Sequence, residues 1–121
     1  MEDMSPEIEN LTAALAQLLQ DHKGQDVCLL DLRGINNWTD FFLIATVTSM
    51  AHLGGLERHI KEFCNENKVD VYRTSRTKTD DQWRLFDLGS IVIHLMTKEA
   101  REFYDLERLW ARYKHPQNVD E

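Results

Sequence analysis

The run Phe41 to Val47, FFLIATV, constrains this chain more than any other stretch. It has strand length, carries no charge and shows no polar alternation, so it belongs at the centre of a sheet covered on both faces. Val27 to Leu32, VCLLDL, reads the same way. A sheet wetted on one side does not suit two such strands, and the rest of the sequence has to supply helices to cover them.

It supplies three. Ser5-Pro6-Glu7 has the form of a helix start, with a capping hydroxyl, a proline at the first helical position and a carboxylate in the positive first turn. Ile8, Leu11, Leu15, Leu18 and Leu19 then mark one helical face, and Lys23-Gly24 supplies the stop. Thr48-Ser49 caps a second helix with Leu53, Leu56, Ile60, Phe63 and Cys64 on one side. Gly54-Gly55 interrupts it, and each glycine costs about 1 kcal/mol against alanine in a helix interior. Close backbone approach, a kink and a poorly optimised sequence all account for such a pair. Thr97 caps the third helix, where Phe103, Leu106, Trp110 and Tyr113 recur at helical spacing before HPQNVDE frays.

Between the helices, Val69 to Tyr72 reads as an edge strand and Arg73 to Asp81 as a polar loop carrying Arg73, Arg76 and Lys78. Gln82 to Trp110 follows as a hairpin and its helix, closing at Leu88-Gly89-Ser90. Alternation places Trp83, Leu85 and Asp87 on one face of the first strand and Arg84, Phe86 and Leu88 on the other. In the second strand Ile91, Ile93 and Leu95 form the core face, and Val92, His94 and Met96 a mixed one. Trp38, in the turn-rich loop from Arg33 to Thr39, reads as a lid over the core or as an exposed contact. The expected fold is therefore α/β or α+β, a mixed sheet of about five strands with helices packed on it. Residues 1–121 form one domain, with a core of about 8–112 and a frayed tail at 113–121.

With 42% hydrophobic and 29% charged residues, the composition is that of a soluble globular protein. No run is long and apolar enough to span a bilayer, and the acidic N-terminus lacks the features of a signal peptide, which places the chain in the cytoplasm. Cys28 and Cys64 read as buried thiols. A net charge of −7 opposes coating of bare nucleic acid and favours a basic protein surface as partner; no independent sequence-specific nucleic-acid binding is expected.

Catalysis needs a constellation, and the candidates fail on spacing. The five histidines show no metal-ligand pattern, and GxSxG, the Walker loop and GxGxxG are absent. His94, inside an apolar strand, suits a hydrogen-bonded interior residue better than a general base. Gly89-Ser90 followed by Asp105-Leu106-Glu107 resembles the phosphate and Mg²⁺ motifs of nucleotidyltransferases. Here, however, Gly-Ser lies in a hairpin turn without a helix dipole, and carboxylates two apart on a helix diverge by about 200°. No catalytic, cofactor or metal residue is assigned. The surplus of aromatics points to a protein contact surface.

The blocks Asp40-Phe41-Phe42-Leu43-Ile44-Ala45 with Thr48-Ser49, WRLFDLGSIVIH from Trp83 to His94, and REFYDLERLW from Arg101 to Trp110 resemble the ribosomal silencing factor family (RsfS, Iojap, DUF143) in order and spacing. The similarity runs from about Ile8 to Trp110. It implies a nucleotidyltransferase-like fold without catalytic residues. It also implies a translation repressor that binds the large ribosomal subunit, chiefly through ribosomal protein L-fourteen, and obstructs joining of the small subunit in nutrient limitation. Large-subunit assembly is the alternative role, a residual nucleotide-binding enzyme a more distant one, and homodimers are common in the family. The hairpin carries over as the ribosomal-protein-binding surface: Trp83 and Asp87, then Leu85, Gly89 and Ser90. Ser90 replaces an aspartate common in the family, the usual Glu-Gly ahead of the tryptophan is missing, and Gly54-Gly55 departs from the usual second helix. Whether Trp83 points to a partner or into the core is open at this level.

Overall fold

The computed structural model describes residues 5–34, 39–76, 82–111 and 117–118, and the statements below concern these. Trp38, Lys78, Tyr113 and His115 lie outside them. The order is α1 (Ser5–Asp21), β1 (Gln25–Asp31), β2 (Phe41–Val47), α2 (Met50–Glu66), β3 (Arg73–Arg76), β4 (Trp83–Asp87), β5 (Ile91–Thr97), α3 (Lys98–Tyr104), α4 (Leu106–Ala111) and β6 (Gln117–Asn118). The strands form one sheet in the order β3-β4-β5-β2-β1-β6. β2 and β5 pair in parallel at its centre, and every other neighbouring pair is antiparallel. This is the mixed sheet of an α+β protein.

β2 has the bounds its apolar run predicts, and all seven of its residues are buried. Phe41, Leu43, Ala45 and Val47 join Ile91, Ile93 and Leu95 of β5 in a cluster with α1 and α2. The opposite faces of these strands, with Phe42, Ile44, Val92 and Met96, form a second cluster with Cys28, Leu30, Leu32 and Ala100 of α3. The mixed face expected of β5 is therefore as dry as its core face, because α3 folds back over it. Burying each such Leu, Ile or Phe contributes about 1.5–3 kcal/mol before chain entropy is counted.

Four local expectations need correcting. The edge strand begins at Arg73, so Val69 and Val71 pack on the first cluster as an extended approach and part of the expected loop is strand. The tail does not fray throughout: Gln117–Asn118 pairs with Cys28 and Leu29, raising the strand count to six. At the end of α1, Lys23 takes the left-handed conformation (φ 71°). Gly24 serves a different purpose, since a Cβ there would meet the Leu19 carbonyl oxygen at 2.8 Å. Finally, the third helix is broken at Asp105, whose φ of 50° and ψ of 55° are left-handed, so the spacing that runs on from Phe103 does not continue as one helix.

In α2, Ser49 caps as expected, accepting from the His52 N–H, and Leu53, Leu56, Ile60 and Cys64 are buried. A Cβ at Gly54 would meet nothing within 4 Å, and at Gly55 only the Arg58 side chain at 4.0 Å. Close approach therefore does not explain the pair.

Candidate functional site

Strand β4 alternates as its sequence predicts. Phe86 lies in the first cluster, and Arg84, on the same face, meets the Glu57 carboxylate of α2, so the one charge on that face is neutralised. Trp83 and Leu85 lie half-buried against the second cluster, on the α3 side. The indole N–H of Trp83 donates to His94 Nδ1 at 3.0 Å. In the β4–β5 register Leu85 opposes His94 and Trp83 opposes Met96, which makes Trp83 and His94 a diagonal cross-strand pair.

From this pair a row of rings runs outward. Phe42 meets the His94 ring edge-on at 4.5 Å between centroids, Tyr104 tilts over Trp83 at 4.6 Å, and Phe103 stands at 87° to Tyr104 at 4.9 Å. Exposure climbs along it, from 3% at His94 to 45% at Tyr104 and 80% at Phe103. Phe103, expected to be scaffold, is instead the most exposed ring of the row. Phe103 lies within α3, whose buried residue is Ala100, and on that helix its ring is directed away from the sheet. Burial holds His94 uncharged, lowering its pKa from 6.5 to about 4.

Arg101 fixes that break. Its guanidinium grips the Glu107 carboxylate through Nε and Nη2, and Nη1 donates to Thr46 Oγ1 at 2.9 Å. Six residues is no helical spacing; the pair meets only because Asp105 reverses the chain between them.

At the other end of β4, Asp87 Oδ1 accepts from the Gly89 N–H at 2.9 Å, and its Oδ2 lies 3.9 Å from Arg73 Nε. Gly89 has φ 91°, and a Cβ there would meet the Tyr72 ring at 2.9 Å. Ser90 contributes its carbonyl, which accepts from the N–H groups of Asp40 and Phe41 and so sets the start of β2. Trp83, Leu85 and Asp87 thus share one face of β4, while Gly89 and Ser90 act through backbone geometry at the turn. Gly89-Ser90 and Glu107 are not brought together: Ser90 precedes β5, whereas Arg101 holds Glu107 near Thr46, which opposes Met96 at the strand's far end. Six residues of strand separate them, about 20 Å.

A groove of about 440 Å³ lies along α1, floored by Ala13, Ala16, Leu29 and Phe41. Its cation, Arg33, is already paired with Asp31 and Glu9. Among the described residues no group of three or more His, Cys, Asp or Glu is placed to hold a metal ion, and no helix is long and apolar enough to cross a membrane.

Sequence reasoning passed over Tyr104 and misplaced Phe103. It classed His94 correctly as an interior hydrogen-bonded residue but did not find its partner. The signal was present: closing the hairpin at Gly89 fixes the register that sets Trp83 diagonally from His94.

The class so defined is an α+β domain with helices on both faces of a mixed sheet and an aromatic row surfacing beside one of them. The particular family follows from comparison. The family model described as "Ribosomal silencing factor during starvation" matches residues 5–121, and the chain belongs to that family. It is 40% identical over 99 residues to the ribosomal silencing factor RsfS of Treponema pallidum, covering 81% of this chain and 87% of the relative. It is 36% identical over 99 residues to the mouse protein named "Mitochondrial assembly of ribosomal large subunit protein 1", covering 80% of this chain but 43% of that longer protein. A crystal structure of a Chromobacterium violaceum protein is similar at a TM-score of 0.79 and 27% identity, over 92% of this chain and 88% of that one.

Proposed function

We propose that this protein binds the large ribosomal subunit through ribosomal protein L-fourteen and obstructs joining of the small subunit by occupying the space it needs. The observation that carries this reading is the aromatic row Trp83, Tyr104 and Phe103, which rises to 80% exposure beside Leu85 and Asp87. Exposed aromatics on a rigid support are the residues that anchor protein interfaces. The net charge of −7 adds attraction toward a basic ribosomal surface. No bond is made or broken in such a mechanism; silencing is steric, and the protein acts without a cofactor in the cytoplasm.

Phe103→Ser is the direct test. Phe103 is mostly in water, so its loss should leave unfolding within about 0.5 kcal/mol of wild type. Binding to purified large subunits, measured by co-sedimentation, should weaken about tenfold, a loss of about 1.4 kcal/mol. Unchanged binding would remove this face from the interface. An assay of subunit joining with and without the protein then tests the silencing step.

A second reading, a large-subunit assembly factor, is favoured by the name of the mouse relative. Cells lacking the protein should then accumulate precursor particles on sucrose gradients. Normal subunits that join too readily in starvation are the result expected from silencing. Nucleotide binding at Gly89-Ser90 is a poorer fit because the turn is remote from Glu107; calorimetry with nucleoside triphosphates and Mg²⁺ should show no heat. Sedimentation of the free protein tests for the homodimer the family resemblance implies.

A further inference from the structure

We propose that His94 is a positioning residue for docking: by accepting the Trp83 indole N–H at Nδ1, it holds the ring in the orientation that the partner contacts. This rests on the reading of the aromatic row as the ribosomal contact surface. Three observations support it.

The bond is directional and scarce. Trp83 has one polar hydrogen, directed at His94 Nδ1 at 3.0 Å rather than left to solvent, although the ring is only half-buried. A partly exposed indole does not need a buried acceptor for solvation, since water would serve. What the internal acceptor adds is a fixed rotation about χ1 and χ2.

The acceptor is itself fixed. His94 is 3% exposed, and Phe42 packs edge-on against its ring. Accepting at Nδ1 requires the neutral tautomer with its proton on Nε2, and Nε2 has no hydrogen-bond partner among the described residues. Burying that N–H without a partner is unfavourable. A leucine at the position would avoid that cost, so simple core filling does not account for a histidine.

The held ring is the support of the exposed ones. Tyr104 packs on Trp83, and Phe103 packs on Tyr104. An indole free to rotate would loosen the whole outer row and raise the ordering entropy lost on binding.

His94→Leu deletes the acceptor and keeps an apolar filler; His94→Asn places a carbonyl oxygen close to where Nδ1 was. Both, with Trp83→Ala, are compared by co-sedimentation with large subunits at equal folded fraction. His94→Leu should bind about three- to tenfold more weakly, the worth of one ordered hydrogen bond, while His94→Asn should recover to within about twofold. Folded His94→Leu that binds like wild type overturns the proposal. Trp83→Ala binding like wild type would instead overturn the contact-surface reading on which it rests. A measurement on the unmodified protein does not depend on any variant folding: long-range ¹H–¹⁵N correlation should show the Nε2–H tautomer at His94 and slow solvent exchange of the Trp83 indole N–H. The Nδ1–H tautomer, which cannot accept this bond, overturns the proposal.

Discussion

A proton added to His94 has no stabilising partner. Buried against Phe42, with its one accepting nitrogen facing an N–H, the imidazole stays neutral to about pH 4, against 6.5 when the chain is unfolded. Between those values the unfolded chain binds the extra proton and the folded one does not, so stability rises with pH there. The contribution is complete above about pH 6.5 and falls away toward pH 4, amounting to about 3 kcal/mol. Urea unfolding of wild type and His94→Leu from pH 7.5 to 4.5 checks this. The wild type should lose stability the more steeply, and parallel curves would show that His94 is not buried neutral. The same residue means that Trp83→Ala reports on binding only at equal folded fraction, because that change also strips Nδ1 of its donor and opens the second cluster. It should destabilise the fold by about 3 kcal/mol, which is why Phe103 is the cleaner probe.

At the scale of elements, α2 carries an avoidable weakness. Gly54 and Gly55 lie mid-helix with room for a methyl group, so Gly54→Ala and Gly55→Ala should each stabilise by about 0.5–1 kcal/mol. Together they should raise Tm by several degrees; a drop would mean that α2 must bend there. From sequence the pair was ambiguous because the space around a glycine is a tertiary property. β2, by contrast, was legible to the residue, since seven uncharged positions admit only a two-sided environment. The faces of β4 were equally plain, because a period of two depends on nothing distant. α3 was not: Phe103, Leu106 and Trp110 fit a helical period, and the break is written in a long-range feature, the Arg101 grip on Glu107 and Thr46. The aromatic surface followed the same rule, visible where it lies on β4 and lost where it depends on how α3 packs on the sheet.

At the scale of the molecule, the C-terminal helices are a structural half of the sheet and no appendage. Ala100 and Leu106 cover Val92, Met96, Phe42 and Cys28. A chain ending at Thr97 should therefore lack cooperative unfolding in urea and bind a hydrophobic dye; a transition with the full-length m-value would show that the first cluster suffices. Family membership fits this dependence, since the match extends over residues 5–121 and not over the hairpin alone.

The parallel pairing of β2 with β5 also sets a clock. Until β5 is made, β2 has β1 on one side and an open edge on the other, and that edge belongs to the most apolar strand in the chain. Fifty residues separate Val47 from Thr97, which at cellular rates of about 5–20 residues per second is about 3–10 s of synthesis. During that interval the nascent chain presents an aggregation-prone template that the finished protein hides completely. A chain halted before β5 should therefore aggregate more readily than the full-length protein, which light scattering of a chain ending at Gly89 checks.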